Sequence, residues 1–185
     1  MYYTVKVQIR GITKPPVWRR LEVPADAKLS DLHRAIQDAF GWENCHLYGF
    51  SDMSNTWFTE TDERTGSNPF SLSSGDPVPN LRVKEFFEMV GPKSLYTYDY
   101  GDNWEHLLTV EAVNRGKAPE GMRCVAGKGA CPPEDCGGVW GYRELKRLMA
   151  STDPADEEAR NDQLEWLGLA SPEDFDPEAC IYRAR

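Results

Sequence analysis

The sequence predicts an α+β protein, a single domain in which hairpins and helices share one core. Hydrophobic residues alternate with polar ones over residues 3–9 and again over residues 17–23, with a turn-rich segment between them. Residues 30–40 then have the spacing of an amphipathic helix, and residues 46–50 have the pattern of a strand. The order strand, strand, helix, strand is that of a β-grasp half, in which a helix packs across a mixed sheet.

Local signals place the ends of the helices. Ser30 is a predicted N-cap and Gly41 a predicted stop for the first helix. Residues 60–80 carry turn formers and few large apolar residues, which predicts an exposed excursion. A second helix is expected to begin after Asn80 and to end at Gly91.

The rest of the chain predicts a second hairpin and further helices. Residues 95–100 and 104–113 form its arms, because both are rich in aromatic and β-branched residues. A helix is expected near residues 142–149, and the acidic residues 153–158 are expected to open another, whose buried face contains Leu164, Trp166 and Leu167. The tail that follows is expected to dock Phe175, Ile181 and Tyr182 on the domain.

We therefore expect a single domain over residues 1–185. Residues 1–59 form a β-grasp-like part, and residues 60–80 an exposed excursion. Residues 81–138 contain a helix, a hairpin and the Cys/Pro/Gly loop, and residues 139–185 contain the C-terminal helices and a docking tail. A composition with 40% hydrophobic and 11% aromatic residues supports a packed globule.

The charge restricts the classes of partner. A formal net charge of −9 repels polyanions, so non-specific nucleic-acid binding is disfavoured, and an unknown protein or small ligand is the expected partner. A local basic patch at Arg19 and Arg20 is one alternative. The other is that these arginines solvate an edge strand.

The N-terminus and the cysteine content predict a cytoplasmic protein. The chain enters a strand pattern directly after Met1, with no secretory signal, and no stretch approaches the ~18 apolar residues of a membrane span. Five cysteines, an odd number, argue against a disulfide framework and favour reduced thiols that are structural, metal-bound or reactive.

The most informative segment is Cys131-Pro-Pro-Glu-Asp-Cys-Gly-Gly138. Pro132 and Pro133 lack backbone donors, and Gly137 and Gly138 accept dihedrals closed to other residues. The segment is therefore a shaped loop, and shaped loops commonly serve a site or a tight structural join.

His106 is the second candidate, because period two places it on the apolar side of its strand. A two-residue turn in the hairpin would put Asp99 opposite His106, whereas a three-residue turn would put Tyr98 there. An Asp/His pair would make a general base or orient a metal ligand. The alternative is a core histidine whose ring hydrogen-bonds a carboxylate or a tyrosine.

Zinc or another divalent metal is a further hypothesis, although no cofactor follows firmly from the sequence. Cys124, Cys131 and Cys136 could supply thiolates, with His106 or His46 completing the set and Asp135 or Glu134 as oxygen substitutes. The spacing is poor for a zinc knuckle. The alternative is that the first two cysteines are small buried residues and that the two carboxylates cap the next helix.

A thiol enzyme at Cys45 and His46 is disfavoured. Residues 46–50 are predicted as a strand, and neighbouring strand residues point to opposite faces. The thiol and the imidazole would then be badly placed to meet.

Five segments in order resemble one family. They are Pro16-Val-Trp-Arg-Arg20, Leu32-His33 through Phe40-Gly-Trp42, His46-Leu-Tyr-Gly-Phe50, Tyr98-Asp-Tyr-Gly-Asp-Asn-Trp-Glu-His106, and the loop 131–138 with Gly141-Tyr142. The chain is similar to the plasmid Ri open-reading-frame-three-like family, some of whose members carry the label of the passenger protein (TnpR) of an insertion-sequence element.

The resemblance implies an α+β domain with a β-grasp-like part, found on mobile elements and in bacterial and archaeal chromosomes, and it implies no reaction. The acidic chain lacks the arginine cluster and basic tail of a recombinase. Many relatives carry an apolar residue at the position of Cys136, which argues against a ligand role there.

Three hypotheses about function follow. The first is a binding module in which the hairpin turn and the loop meet in an acidic recess formed by Asp99, Asp102, Trp104, His106, Glu134 and Asp135. The second is a metal-dependent hydrolase or nuclease that uses the same carboxylates and His106. The third gives these side chains a purely structural role.

Overall fold

The computed structural model describes residues 1–58 and 81–177, which form a seven-stranded sheet and four α-helices. The elements are β1 (Tyr2–Thr13), β2 (Pro16–Pro24), α1 (Leu29–Phe40), β3 (Tyr48–Ser51), β4 (Trp57–Phe58), α2 (Val83–Val90), β5 (Lys93–Tyr98), β6 (Trp104–Asn114), β7 (Arg123–Lys128), α3 (Gly138–Ala150) and α4 (Glu157–Leu167). The α+β prediction is confirmed. Within these residues no helix combines the length and apolar character that crossing a bilayer requires.

The sheet has the order β4-β3-β5-β6-β1-β2-β7, and every described pairing is antiparallel. The mixed sheet of the β-grasp prediction is therefore wrong. After β2 the chain passes through α1 toward the opposite edge of the sheet, where β3 pairs antiparallel with β5. The edge strand β7 was not expected, because its sequence RCVAGK is short, with charged ends and a glycine.

The core lies on one face of the sheet, beneath the helices. Val5, Val7 and Ile9 of β1 are fully buried, as are Ile36 of α1 and Phe86 of α2. Burying such side chains stabilises the fold by about 1.5–3 kcal/mol each. The predicted second hairpin and the C-terminal helices are present.

Some predicted boundaries and faces are wrong. Helix α1 begins at Leu29, and Ser30 lies inside it. The N-cap is Lys28, whose backbone N–H donates to Asp31 Oδ2 at 3.1 Å, so the cap is built by the helix's own acidic residue. Trp166 is 48% exposed and not buried in the core. The predicted excursion 60–80 and the docking of Ile181 and Tyr182 fall outside the described residues.

Arg19 is the main departure from the predicted charge pattern. Strand β2 is not an edge strand, and the Arg19 side chain is buried in the core, 1% exposed. Its Nε donates to Ala39 O at 2.7 Å, and its NH1 donates to the carbonyls of Trp18, Lys128 and Gly129. The guanidinium also lies over the Phe40 ring. Arg19 therefore ties β2 to the end of α1 and the end of β7, and it offers no surface charge.

We expect Arg19→Lys to lower the free energy of unfolding by about 2–3 kcal/mol. A lysine ammonium cannot reproduce the hydrogen bonds that the guanidinium donates to four carbonyl groups. Urea denaturation measures the change. Arg20→Lys is the matched control, since Arg20 makes a surface ion pair with Glu111 that is worth under about 1 kcal/mol. Equal losses in the two variants would contradict the structural role of Arg19.

Candidate functional site at the junction of two loops

The β5–β6 turn, residues 99–103, meets the loop 131–138. Gly137 N donates to Asp102 Oδ2 at 3.0 Å. The next residue, Gly138, has φ +65°, and a Cβ at this position would lie 2.3 Å from Asp102 O. A glycine is required here because any side chain would collide with the backbone of the turn. The two stretches predicted to converge are thus in contact.

Glu134 fixes the loop to the sheet. Its Oε1 accepts a hydrogen bond from Tyr98 OH, and its Oε2 accepts one from Glu43 N at 2.9 Å. Burial and the bond to Glu134 raise the pKa of Tyr98 far above its ordinary value, so the phenol stays a donor at neutral pH. The predicted capping role of Glu134 and Asp135 is wrong, since α3 begins after Gly137 with no side-chain cap.

A tryptophan makes a further anchor for the loop. Trp42 follows the end of α1, is 8% exposed, and donates from Nε1 to Pro132 O at 3.0 Å. Its ring stacks on Tyr98 with centroids 5.1 Å apart. The sequence places Trp42 in the family pattern and does not predict its contact with this loop. No local signal in the sequence shows that an indole N–H will meet a carbonyl 90 residues away.

His46 lies between the two loops. Its Nε2 is 3.1 Å from Asp135 Oδ1, and its Nδ1 is 3.8 Å from Asp99 Oδ1. Asp99 is held in place because its N–H donates to Leu47 O at 2.9 Å and its Oδ1 accepts from Gly101 N at 2.9 Å. We call His46, Asp99 and Asp135 the His46 cluster. It contains three of the sequence-predicted site residues.

Cys45 is closer to this junction than the sequence predicts. Strand β3 begins only at Tyr48, so Cys45 and His46 occupy irregular backbone and are not forced to opposite faces. Cys45 Sγ lies 3.8 Å from Glu134 Oε1. Desolvation and the nearby carboxylates of Glu134 and Asp135 raise the pKa of the Cys45 thiol, which is the opposite of what activates a nucleophilic cysteine.

Two predicted site residues lie in the core. Trp104 and His106 are fully buried, and the register pairs Tyr98 with Trp104 and Tyr96 with His106. The turn has five residues, so neither predicted register is correct and the Asp99–His106 pair is wrong. His106 Nδ1 is 2.9 Å from Trp104 O, and the ring packs edge-on against Trp42. His106 is a core histidine.

The predicted cysteine ligands are also separated from the histidines. Cys124 is 5% exposed in β7, and its Sγ donates to Ala126 O at 3.4 Å. Burial raises the pKa of the Cys131 thiol well above its ordinary value. Among the described residues, the groups with three ligand atoms close together are Cys45–His46–Glu134 and His46–Asp99–Asp135, and neither contains Cys124 or Cys131.

An open groove of about 1290 Å³ extends from the junction along α1. Its other walls are the start of β7, the loop residues 130–135 and the end of α4. Phe40, Trp42, Met122, Trp166 and Leu167 give it apolar surface. Two arginines line it against seven acidic residues, which are Asp31, Asp38, Glu43, Glu134, Asp135, Asp174 and Asp176.

The fold and the site define an antiparallel α+β protein with an acidic groove that begins where two loops meet. The chain belongs to the plasmid pRiA4b ORF-3-like protein family, whose sequence model matches residues 1–183. The family predicted from the five segments is confirmed.

Two relatives extend this finding. The uncharacterized protein y4hQ of Sinorhizobium fredii (strain NBRC 101917 / NGR234) is 38% identical over 170 residues, which cover 91% of this chain and 81% of that protein. The crystal structure of protein of unknown function MM3350 from Methanosarcina mazei Go1 is similar with a TM-score of 0.75 and 34% identity, covering 98% of this chain and 95% of that chain. Neither relative's description names an activity.

The core position of His106 predicts a pH dependence of stability. Burial lowers the pKa of His106 and of His33 to about 4, below the ordinary 6.5. Between pH 6.5 and pH 4 the unfolded chain therefore binds protons that the folded chain does not, so stability is full above pH 6.5 and falls as the pH is lowered. Each histidine contributes a slope of up to about 1.4 kcal/mol per pH unit.

We expect His106→Gln to reduce this slope, because glutamine stays neutral. Denaturant unfolding at several pH values measures it for both proteins. An unchanged slope in His106→Gln would contradict the assignment of His106 as a neutral core residue.

Proposed function

We propose that this protein is a binding module whose acidic groove takes a basic peptide segment of a partner protein. The observation that carries the proposal is the excess of carboxylates over arginines along the groove. A field of one sign inside a concave surface attracts and orients a partner of the opposite sign.

The size of the groove favours a peptide over a small molecule. Sites for small ligands are commonly clefts of about 300–1,000 Å³ that enclose most of the ligand. This groove exceeds that range and is partly open to solvent. An extended chain of several residues fits such a shape, with its charged side chains at the rim and its apolar ones on the floor.

The aromatic residues supply anchoring surface. Trp166 is 48% exposed at the end of α4 and lines the groove, whereas Trp42 and Phe40, which also line it, are largely buried. Tryptophan is enriched among residues that dominate binding energies, because it buries a large rigid surface. Exposed tryptophan beside carboxylates suits a peptide that mixes lysine or arginine with leucine or methionine.

The positions of His106 and Cys45 give less support to the hydrolase hypothesis than to a binding module. The second hypothesis from the sequence needs His106 beside the carboxylates, whereas His106 is buried in the core. The raised pKa of the Cys45 thiol means that this residue is not an activated nucleophile beside the carboxylates. These observations favour binding over hydrolysis.

The test uses a short synthetic peptide of alternating Lys, Leu and Gly residues, with tryptophan fluorescence and calorimetry as readouts. We expect saturable binding that weakens with added salt. Asp38→Lys with Glu43→Lys should weaken it by more than about tenfold, since each reversal changes a surface charge interaction by about 1 kcal/mol. Both positions are exposed, so the fold should be retained.

Two controls make the result specific. The first is the same peptide with Glu in place of Lys, which should not bind. The second is the double variant Glu120→Lys with Asp162→Lys, which makes the same change of charge outside the groove. Equal binding of the two peptides, or equal effects of the two double variants, would contradict the proposal. Self-association of the chain at low micromolar concentration would contradict it too, because a second copy would then occupy the groove.

A further inference from the structure

The ring of His46 carries an unusual nitrogen. Nε2 is shielded from solvent, although 28% of the side chain is exposed, and it has no hydrogen-bond partner among the described residues. Asp135 Oδ1 lies 3.1 Å away but does not form a hydrogen bond with it. Leaving a buried polar atom without a partner is destabilising, so such atoms call for an explanation.

The surroundings of this nitrogen are those of a metal ligand. One nitrogen of His46 and one oxygen each from Asp99 and Asp135 all lie within 4.8 Å of one another. Ligand atoms about 2.1 Å from one tetrahedral ion are separated by about 3.4 Å, so the 3.1 Å between Nε2 and Asp135 Oδ1 is close to the spacing of two ligands.

The donor set also selects the kind of ion. One imidazole with two carboxylates suits zinc and similar divalent ions better than calcium, which prefers six to eight oxygen ligands. The side chains of the two aspartates differ in how far they can move. The side chain of Asp99 is 11% exposed and held by the turn, whereas that of Asp135 is 64% exposed and can adjust to an ion.

We propose that His46, Asp99 and Asp135 bind one divalent transition-metal ion, with a position left open to water or to a ligand. The ion would place one positive charge between the two loops and give His46 Nε2 a bonding partner. Glu134 is outside the proposed set, because its oxygens already accept from Tyr98 and Glu43. The ligand set differs from the cysteine-based set expected from the sequence.

The metal site shares Asp135 with the lining of the groove, but other residues allow it to be tested separately from peptide binding. His46 does not line the groove, so a variant at this position separates the two activities. Asp38 lines the groove and lies outside the His46 cluster, so it separates them in the other direction.

The experiment titrates ZnCl₂ into the full chain after treatment with a chelator, followed by calorimetry, and repeats the titration with Co²⁺ followed by visible absorption. We expect one ion per chain with a dissociation constant in the micromolar range or below. Asp135→Asn and His46→Gln should each weaken binding by more than about tenfold. Asparagine at 135 accepts the positive φ of 57° that Asp135 adopts, so this variant should fold.

The matched control is Asp162→Asn, an exposed change on α4 that should leave the zinc affinity unchanged. Circular dichroism confirms that each variant is folded. Absence of stoichiometric zinc binding, or equal affinity of Asp135→Asn and the parent protein, would overturn the proposal. Loss of binding in Cys45→Ser and Glu134→Gln but not in Asp135→Asn would also overturn it, because the ion would then lie in the neighbouring group.

Discussion

The hydrogen bond from Tyr98 to Glu134 supports everything else at this site. Tyr98 is fully buried at the end of β5, so its hydroxyl is a fixed point on the sheet. Glu134 holds the loop 131–138 against that point, and its second carboxylate oxygen accepts a hydrogen bond from the backbone N–H of Glu43. One carboxylate thereby joins the sheet, the segment after α1 and the loop. The positions of Asp135 and of the groove wall depend on this joint.

Physical chemistry explains why the joint is firm. A phenol buried under Trp42 cannot ionise at neutral pH, since burial raises its pKa, and it must donate to an acceptor. A charged acceptor makes a stronger bond than a neutral one. Gly138 adds a steric condition, because only a residue without a side chain lets the loop approach the backbone of Asp102. The joint therefore combines a polar bond with a close contact.

Much of the architecture could be predicted from the sequence, because hydrophobic periodicity and glycine stops are local. The hairpins and the helices rest on such signals. The register of β5 and β6 could not be predicted, since Asp99 and Asn103 adopt positive φ and lengthen the turn to five residues. Because of this register, His106 lies opposite Tyr96 in the core and not beside Asp99.

The site itself depends on contacts between distant segments, which a single sequence does not encode locally. Arg19 was expected on a surface because charged residues are seldom fully buried, yet four carbonyls satisfy it in the core. His46 was expected in a strand, where it could not act with Cys45. The start of β3 two residues later leaves both free to face the loop 131–138.

Amide hydrogen exchange in Tyr98→Phe tests the central claim most directly, because this change removes the hydroxyl and keeps the ring. Gly137 N–H, which donates to Asp102, reports on the loop, and Val7 N–H in the interior strand β1 serves as the internal reference. The account predicts that exchange at Gly137 becomes at least about tenfold faster while Val7 is unchanged. Unchanged protection of Gly137 in a folded Tyr98→Phe protein would contradict it.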